Sequence, residues 1–298
     1  MRGWWQDLAD LVLPAECAGC GRPRAVLCPE CRAALDGSAP CRVRPVPEPP
    51  GLPVVYAAAA YADAVRAALL AHKERGALTL AAPLGAALAG AVRAGLNNSA
   101  SGGYPAGPGG RGPVSRGGRS VGGDEPGRFR GPVLLVPVPS ARGAVRARGH
   151  DPARRIALAA AGALRRSGTP ARVVAVLRQR RAVADQSGLG SRQRLENLAG
   201  ALEVVAGGAR LLRDGPVALV DDLMTTGASL SEAARAVTSA VYGARAREEM
   251  GERNAASPRK EGNPVYEASE LAGVYGAGHV LCAAVVAASP ESFELRRN

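Results

Sequence analysis

One segment constrains this chain more than any other: Val217-Ala218-Leu219-Val220-Asp221-Asp222-Leu223-Met224-Thr225-Thr226-Gly227-Ala228-Ser229. Its opening apolar run has the character of a strand buried on both faces, as in parallel sheets. The strand delivers two adjacent carboxylates at its C-terminal end. A turn of small and hydroxyl-bearing residues follows, and then a helix begins. In an open α/β sheet, ligands bind at the carboxyl ends of the strands. The turn from Thr225 through Thr226, Gly227 and Ala228 to Ser229 offers backbone N–H groups, three hydroxyls and the positive end of a helix dipole. That combination binds a phosphate monoester. Gly227 lets the backbone approach closely, and Asp221 and Asp222 suit the vicinal hydroxyls of a ribose. An ordinary N-capped helix accounts for the threonines and serine. It does not account for adjacent aspartates, whose repulsion costs stability unless a ligand or cation offsets it.

The rest of the chain supplies matching elements. Apolar patterning predicts strands over Val54–Tyr61, Val133–Val138, Arg172–Leu177 and Val280–Ala287. Helices are predicted over Ala62–Ala71, Ala77–Ala94, Pro152–Arg166 and Leu230–Tyr242, with Asp151 capping the third. Strands alternating with helices make an α/β fold with a doubly wound, mostly parallel sheet. Residues 45–53 are rich in proline and read as a linker, dividing the chain into parts at 1–50 and 51–298. Two stretches without periodicity, 97–130 and 244–276, read as flexible inserts in the second part.

Four of the six cysteines form a C-x2-C-x7-C-x2-C pattern: Cys17, Cys20, Cys28 and Cys31. Each C-x2-C knuckle turns two thiolates toward one ion, and two knuckles complete a tetrahedral zinc site. A disulfide pair or a set of buried thiols is the alternative, and a cytoplasmic chain disfavours disulfides. Four thiolates leave no open position for a substrate, so the expected zinc is structural. Ahead of it, Trp4, Trp5, Leu8, Leu11 and Val12 fall at helical spacing. Cys282 lies in an apolar run and reads as a buried strand thiol.

The net charge of +12 is concentrated. Residues 141–200 carry thirteen arginines against three acidic residues. Such a block calls for an anionic partner or a well-solvated surface. Only two lysines, Lys73 and Lys260, accompany 36 arginines, the usage a GC-rich coding sequence produces by itself. The positions of the arginines therefore carry more than their number. No uninterrupted apolar run reaches the roughly 18 residues of a membrane span, and Asp7 and Asp10 fall where a signal core would sit. A cytoplasmic protein without membrane insertion is expected.

These residues resemble a known family. Val220-Asp221-Asp222-x-x-Thr225-Thr226-Gly227-Ala228-Ser229 is similar to the phosphoribosyl pyrophosphate fingerprint of type I phosphoribosyltransferases. Several further segments narrow the resemblance to the ComF family. They are the cysteine knuckles, Lys73-Glu74-Arg75-Gly76, Val136-Pro137-Val138-Pro139 with Arg146-Ala147-Arg148-Gly149, and Gln186-Ser187-Gly188-Leu189 with Arg194 and Asn197. Where that family usually has an aromatic residue, Asn and Gln, this chain has His150-Asp151-Pro152. The resemblance implies a type I phosphoribosyltransferase-like sheet with an N-terminal zinc module. It implies phosphoribosyl pyrophosphate as ligand, Mg2+ as its companion and pentosyl-group transfer as activity. It places Thr225, Thr226, Gly227, Ala228 and Ser229 at the ribose 5-phosphate, and Asp221, Asp222 and Arg194 at the reacting sugar. Ser140, Ala141, Arg142, Arg178 and Arg181 would face the pyrophosphate. It also implies a role in uptake of transforming DNA, with single-stranded DNA and the uptake machinery as partners. Against nucleic-acid binding, residues 141–200 contain no Phe, Trp or Tyr on which bases could stack. A non-catalytic DNA-handling accessory and a phosphoribosyl pyrophosphate sensor are the alternatives to an enzyme. No residue is indicated as a base or nucleophile, and His72, His150 and His279 read as structural.

Overall fold

The computed structural model describes residues 16–100, 131–181, 183, 190–256 and 280–293. The N-terminal part contains α1 (Pro29–Asp36) and the edge strand β1 (Cys41–Val43), followed by β2 (Val55–Ala60), α2 (Asp63–Glu74) and α3 (Ala81–Ala100). Next come β3 (Val133–Pro137), α4 (Arg142–Arg148), α5 (Pro152–Arg166) and β4 (Ala171–Val173). A small hairpin, β5 (Leu177–Gln179) and β6 (Leu202–Val204), encloses α6 (Ser191–Leu198) and is followed by α7 (Gly208–Leu211). The chain closes with β7 (Val217–Met224), α8 (Ala228–Ala256) and β8 (Val280–Ala288).

Six strands form one mixed sheet in the order β1-β2-β8-β7-β3-β4. Every neighbouring pair is parallel except β1 with β2. Side chains alternate across the sheet and feed two cores. Val133 and Leu135 of β3, with Ala218 and Val220 of β7, meet Ile156, Ala160 and Leu164 of α5 on one face. Leu134, Val136, Val217 and Leu219 meet Leu230, Ala233, Val237 and Val241 of α8 on the other. Burial on both faces explains why these strands are continuously apolar.

The connections fix where a ligand can sit. β3 returns through α5 toward β4, while the chain leaves β7 through α8 on the opposite face and reaches β8 on the opposite side. The strand order therefore reverses between β3 and β7, and the crevice in which open α/β sheets bind ligands falls beyond their carboxyl ends. The loops at 138–141 and 225–227 flank it.

Several elements differ from the sequence expectation. The strand expected over 172–177 is split. Its first half pairs with β3, the chain turns where Val176 N–H donates to the Val174 carbonyl (3.0 Å), and its second half joins the hairpin. The helix expected over 230–242 runs on to Ala256, into the stretch read as an insert. Ala, Arg and Glu there are good helix formers, which the reading of charge as surface loop overlooked. Residues 97–100 likewise continue α3. The remainder of both expected inserts, the helix around Trp4 and Trp5, and Gln186–Leu189 lie outside the described residues.

The proline-rich stretch is anchored at several points, with Pro45 and Pro49 buried and Val46 exposed. Leu52 joins the core under α8, and Ser231 Oγ donates to the Pro50 carbonyl (2.6 Å). Among the described residues, Leu78–Ser99 is long and apolar enough to cross a membrane. That exception to the expected absence of such a segment packs on the sheet and α5, burying Leu84, Leu88, Ala91 and Val92.

Candidate functional site

β7 carries its chain straight into the turn, and α8 begins at Ala228. Ser231 N–H donates to the Gly227 carbonyl (2.9 Å), closing the first helical turn. Among the described residues, the N–H groups of Thr226, Gly227, Ser229 and Leu230 meet no carbonyl, as expected for the first turn of a helix. Thr226 Oγ1 lies 3.5 Å from the Ala228 nitrogen. Gly227 has φ +74°, and a Cβ there would lie 3.1–3.3 Å from the side chains of Leu52 and Pro45. Glycine is required twice at this position, by backbone angle and by the proline-rich stretch. The five sequence-predicted residues thus lie together at the switch point, Thr225 to Gly227 in the turn and Ala228 and Ser229 at the start of α8.

Asp221 and Asp222 lie within β7, two residues earlier than the strand end expected for them, because Leu223 and Met224 still pair with Ala287 and Ala288 and Met224 is buried. Asp221 Oδ1 accepts the Asp222 N–H (2.8 Å). Burial and the neighbouring Asp222 charge push the Asp221 carboxyl well above the usual carboxylate range, with Lys73 opposing. Asp222 is buried, and its Oδ2 lies 3.1 Å from Lys73 Nζ on α2. The Asp222 charge holds the Lys73 ammonium above its usual range against the effect of burial. Chemistry read along the chain does not place Lys73 beside the acidic pair.

The residues flanking Lys73 also reach across the crevice. Glu74 pairs with Arg148 of α4 (3.1 Å). His72, fully buried, sets Nδ1 3.3 Å from the Ala77 carbonyl and packs edge-on to His150, with ring centroids 5.5 Å apart. His150 Nε2 lies 3.2 Å from the His72 carbonyl. The two histidines thus tie the end of α2 to the loop after α4. Burial lowers the His72 pKa, keeping the ring neutral.

The other predicted residues divide. Arg194 of α6 donates from Nη1 to Thr225 Oγ1 (3.1 Å) and so stands at the turn. Ser140 N–H donates to Asp151 Oδ2 (3.4 Å), and Asp151 Oδ1 caps α5 through the Arg154 N–H (3.1 Å). Ser140 and Ala141 lie in the loop that follows the carboxyl end of β3. Arg142 points to the Gln179 carbonyl (3.4 Å). Arg178 pairs with Glu203 across the hairpin (2.9 Å), and Arg181 donates to the Asn197 and Ala199 carbonyls (2.8 and 2.9 Å). Arg172 and Arg192 pair with Asp214 and Glu196. Much of the basic block is thus engaged within the fold.

The four cysteines form a second centre. The Sγ atoms of Cys17, Cys20, Cys28 and Cys31 lie within 4.8 Å of one another, close enough to hold a metal ion. Cys17 Sγ accepts the Cys28 N–H (3.2 Å). Burial opposes ionisation of Cys17, but N–H donors from Cys28, Cys20 and Gly19 outweigh it and bring the thiol down to about 6. A Cβ on Gly19 would come within 2.7 Å of Cys31 Sγ, so the knuckle closes only around glycine. Cys17, Cys28, Cys31 and Leu35 share a core with Val65, Leu69 and Leu88. Cys282 is the buried strand thiol expected, and burial pushes it up to about 12.

No protein-family model matches this chain, and no curated protein matches it.

Proposed function

We propose that this chain binds phosphoribosyl pyrophosphate with Mg2+ at the crevice between β3 and β7, as a phosphoribosyltransferase of the type I class and ComF kind. The observation that carries the reading is the pairing of an N–H-rich turn at a helix start with two carboxylates on the strand that leads into it, separated from the turn by Leu223 and Met224. The turn accepts the 5-phosphate dianion through Thr225 to Ser229, where the helix dipole favours negative charge. Asp221 and Asp222 accept hydrogen bonds from the ribose hydroxyls.

The acidic pair fits Mg2+ by its donor set. Carboxylate oxygens are the hard ligands Mg2+ takes, and it is commonly held by one or two of them together with substrate phosphates. Among the described residues, the cysteine group is the only cluster of three or more metal-ligating side chains, so the remaining ligands here would come from the bound molecule and water. When bound, Mg2+ supplies charge neutralisation at the leaving group.

Transfer breaks the bond from ribose C1 to pyrophosphate and forms one from C1 to an acceptor, with pyrophosphate leaving as the anion. The protein's part is to position the sugar, exclude water and stabilise developing charge. Arg194 stands beside the turn to close over the ligand from α6. The four thiols would hold a structural zinc, since four sulfur ligands complete a tetrahedral site.

Calorimetry of the purified protein with phosphoribosyl pyrophosphate and Mg2+ tests the reading, beside single-stranded DNA at two salt concentrations. Mg2+-dependent binding of the sugar, weakened in Thr226→Ala, is the expected result. Salt-sensitive DNA binding with no sugar binding overturns it in favour of the DNA-handling role. Pyrophosphate release on addition of nucleobases or amines separates transferase from sensor.

A further inference from the structure

Lys73 is the only lysine among the described residues of a chain with 36 arginines. In a composition that writes arginine almost everywhere, the one ammonium side chain among the described residues touches Asp222. The two cations differ in kind. An arginine fork would lock a carboxylate bidentately, whereas an ammonium is a compact charge on a flexible stem that can let go. The Lys73 side chain keeps about a third of its surface exposed (35%), while that of Asp222 keeps 10%. Lys73 is thus the more exposed partner of a carboxylate that is largely enclosed. His72 and Glu74, its neighbours on α2, are fixed by Ala77 and His150 and by Arg148, so the stem swings from an anchored helix end.

We propose that Lys73 is the resident counter-cation of the acidic pair, and that it exchanges with the divalent cation as the ligand binds. In the ligand-free protein the ammonium neutralises Asp222 and repels a divalent ion from the pair. When the ion arrives with an anionic ligand, Asp222 turns to the ion and the ammonium moves to the ligand's phosphate oxygens. Two charges are exchanged and none is left unpaired in the crevice. Divalent cation and sugar phosphate then bind as a unit, because neither alone can displace the ion pair. Lys73 is on this account a positioning residue for the acidic pair. The ligand in this inference rests on the phosphoribosyl reading above, whereas the ion-pair exchange at Asp222 does not.

Mn2+ titration followed by electron paramagnetic resonance tests it, with Mn2+ as the probe in place of Mg2+. Ligand-free wild type should bind Mn2+ weakly. Lys73→Met, which removes the competing charge, should bind it at least about tenfold more tightly without any ligand. Lys73→Gln, which keeps a polar partner for Asp222, serves the same purpose if the methionine variant does not fold. Lys73→Arg should bind Mn2+ no more tightly than wild type. Added phosphoribosyl pyrophosphate should tighten Mn2+ binding in wild type far more than in Lys73→Met. Ligand-free Mn2+ affinities within twofold of wild type in both neutral variants overturn the exchange. If phosphoribosyl pyrophosphate changes Mn2+ binding in none of the proteins, the phosphoribosyl reading falls, while the ligand-free comparison still decides the role of Lys73.

Discussion

Arg194 Nη1 donates to Thr225 Oγ1 across 3.1 Å, joining α6 to the turn at the end of β7. Its Nε is buried and has no partner among the described residues. An unpaired buried donor costs about 1–3 kcal/mol. The contact lies beside the packing of Leu195, Leu198 and Ala228, and on the proposed function it also belongs to the ligand site.

Arg194→Met is expected to weaken phosphoribosyl pyrophosphate binding by about 1.5–3 kcal/mol, the range for a hydrogen bond to a charged group. Arg194→Lys keeps the charge without the fork and should recover part of the loss. Calorimetry on both variants checks this. Equal affinity in Arg194→Met and wild type would show that α6 only covers the turn.

At the cysteine centre, Gly19→Ala places a methyl group 2.7 Å from Cys31 Sγ. Overpacking of this kind costs about 1–3 kcal/mol, and here it also spreads the four sulfur atoms. Metal analysis of wild type should find one zinc per chain and the variant should hold substantially less, with a lower melting temperature. Cys28→Ser should lose the metal as well. Because the centre shares its core with α2 and α3, both changes should also reduce the melting temperature of the sheet.

What the sequence made legible was local. The strand, carboxylate pair and turn over 217–229 lie within one run, and their chemistry is set by adjacency. The knuckle spacing of Cys17 to Cys31 is local in the same way, as is the Asp151 cap on α5, which the structure reproduces from its first residue to its last. The pairings made across the fold were hidden. Lys73 and Asp222 meet only because α2 and β7 converge at the crevice. Arg178 was legible as a cation but not as the partner of Glu203, since the hairpin that joins them forms where one strand was expected. The proline-rich stretch read as a linker because proline opposes regular structure. Its role under Gly227 depends on Leu52, whose partner lies on α8. Lys73 was marked in advance by the rarity of lysine and by its place in the Lys73-Glu74-Arg75-Gly76 segment, but neither signal named Asp222 as its partner.

Gly227→Ala tests that wall. The residue has φ +74° and would bring its Cβ to 3.1 Å from Leu52. Left-handed backbone costs a residue bearing a Cβ roughly 1–2 kcal/mol, and the crowding adds to it. The turn should open, so affinity for phosphoribosyl pyrophosphate should fall more than thermal stability does. Gly227→Ala with Leu52→Ala should recover the crowding part and leave the backbone part. A double variant no better than the single one would show that Leu52 plays no part in shaping the turn.

The acidic pair gives the prediction with the clearest sign. Asp221 has its pKa raised in the fold, first by burial and then by the Asp222 charge. An acid raised in this way contributes stability that is fully present below its unfolded pKa, near 3.9, and is lost as pH rises through its folded value. Above that value the wild type carries a buried charge that the ligand-free fold does not offset. Asp221→Asn removes the charge at nearly constant volume. Its melting temperature should exceed that of wild type at pH 8, and the gain should shrink as the pH is lowered and Asp221 takes up its proton. His72 acts in the opposite sense. Its depressed pKa makes the fold lose stability as pH falls below about 6.5, but it does so in both proteins and cancels in their difference. The same variant should lose Mg2+-dependent binding of phosphoribosyl pyrophosphate. Melting curves from pH 5 to 8 check the first half, and calorimetry with and without Mg2+ checks the second. A stabilised variant that still binds the ligand with Mg2+ would mean that Asp221 contacts neither the ribose nor the cation, leaving Asp222 and its lysine to carry the site.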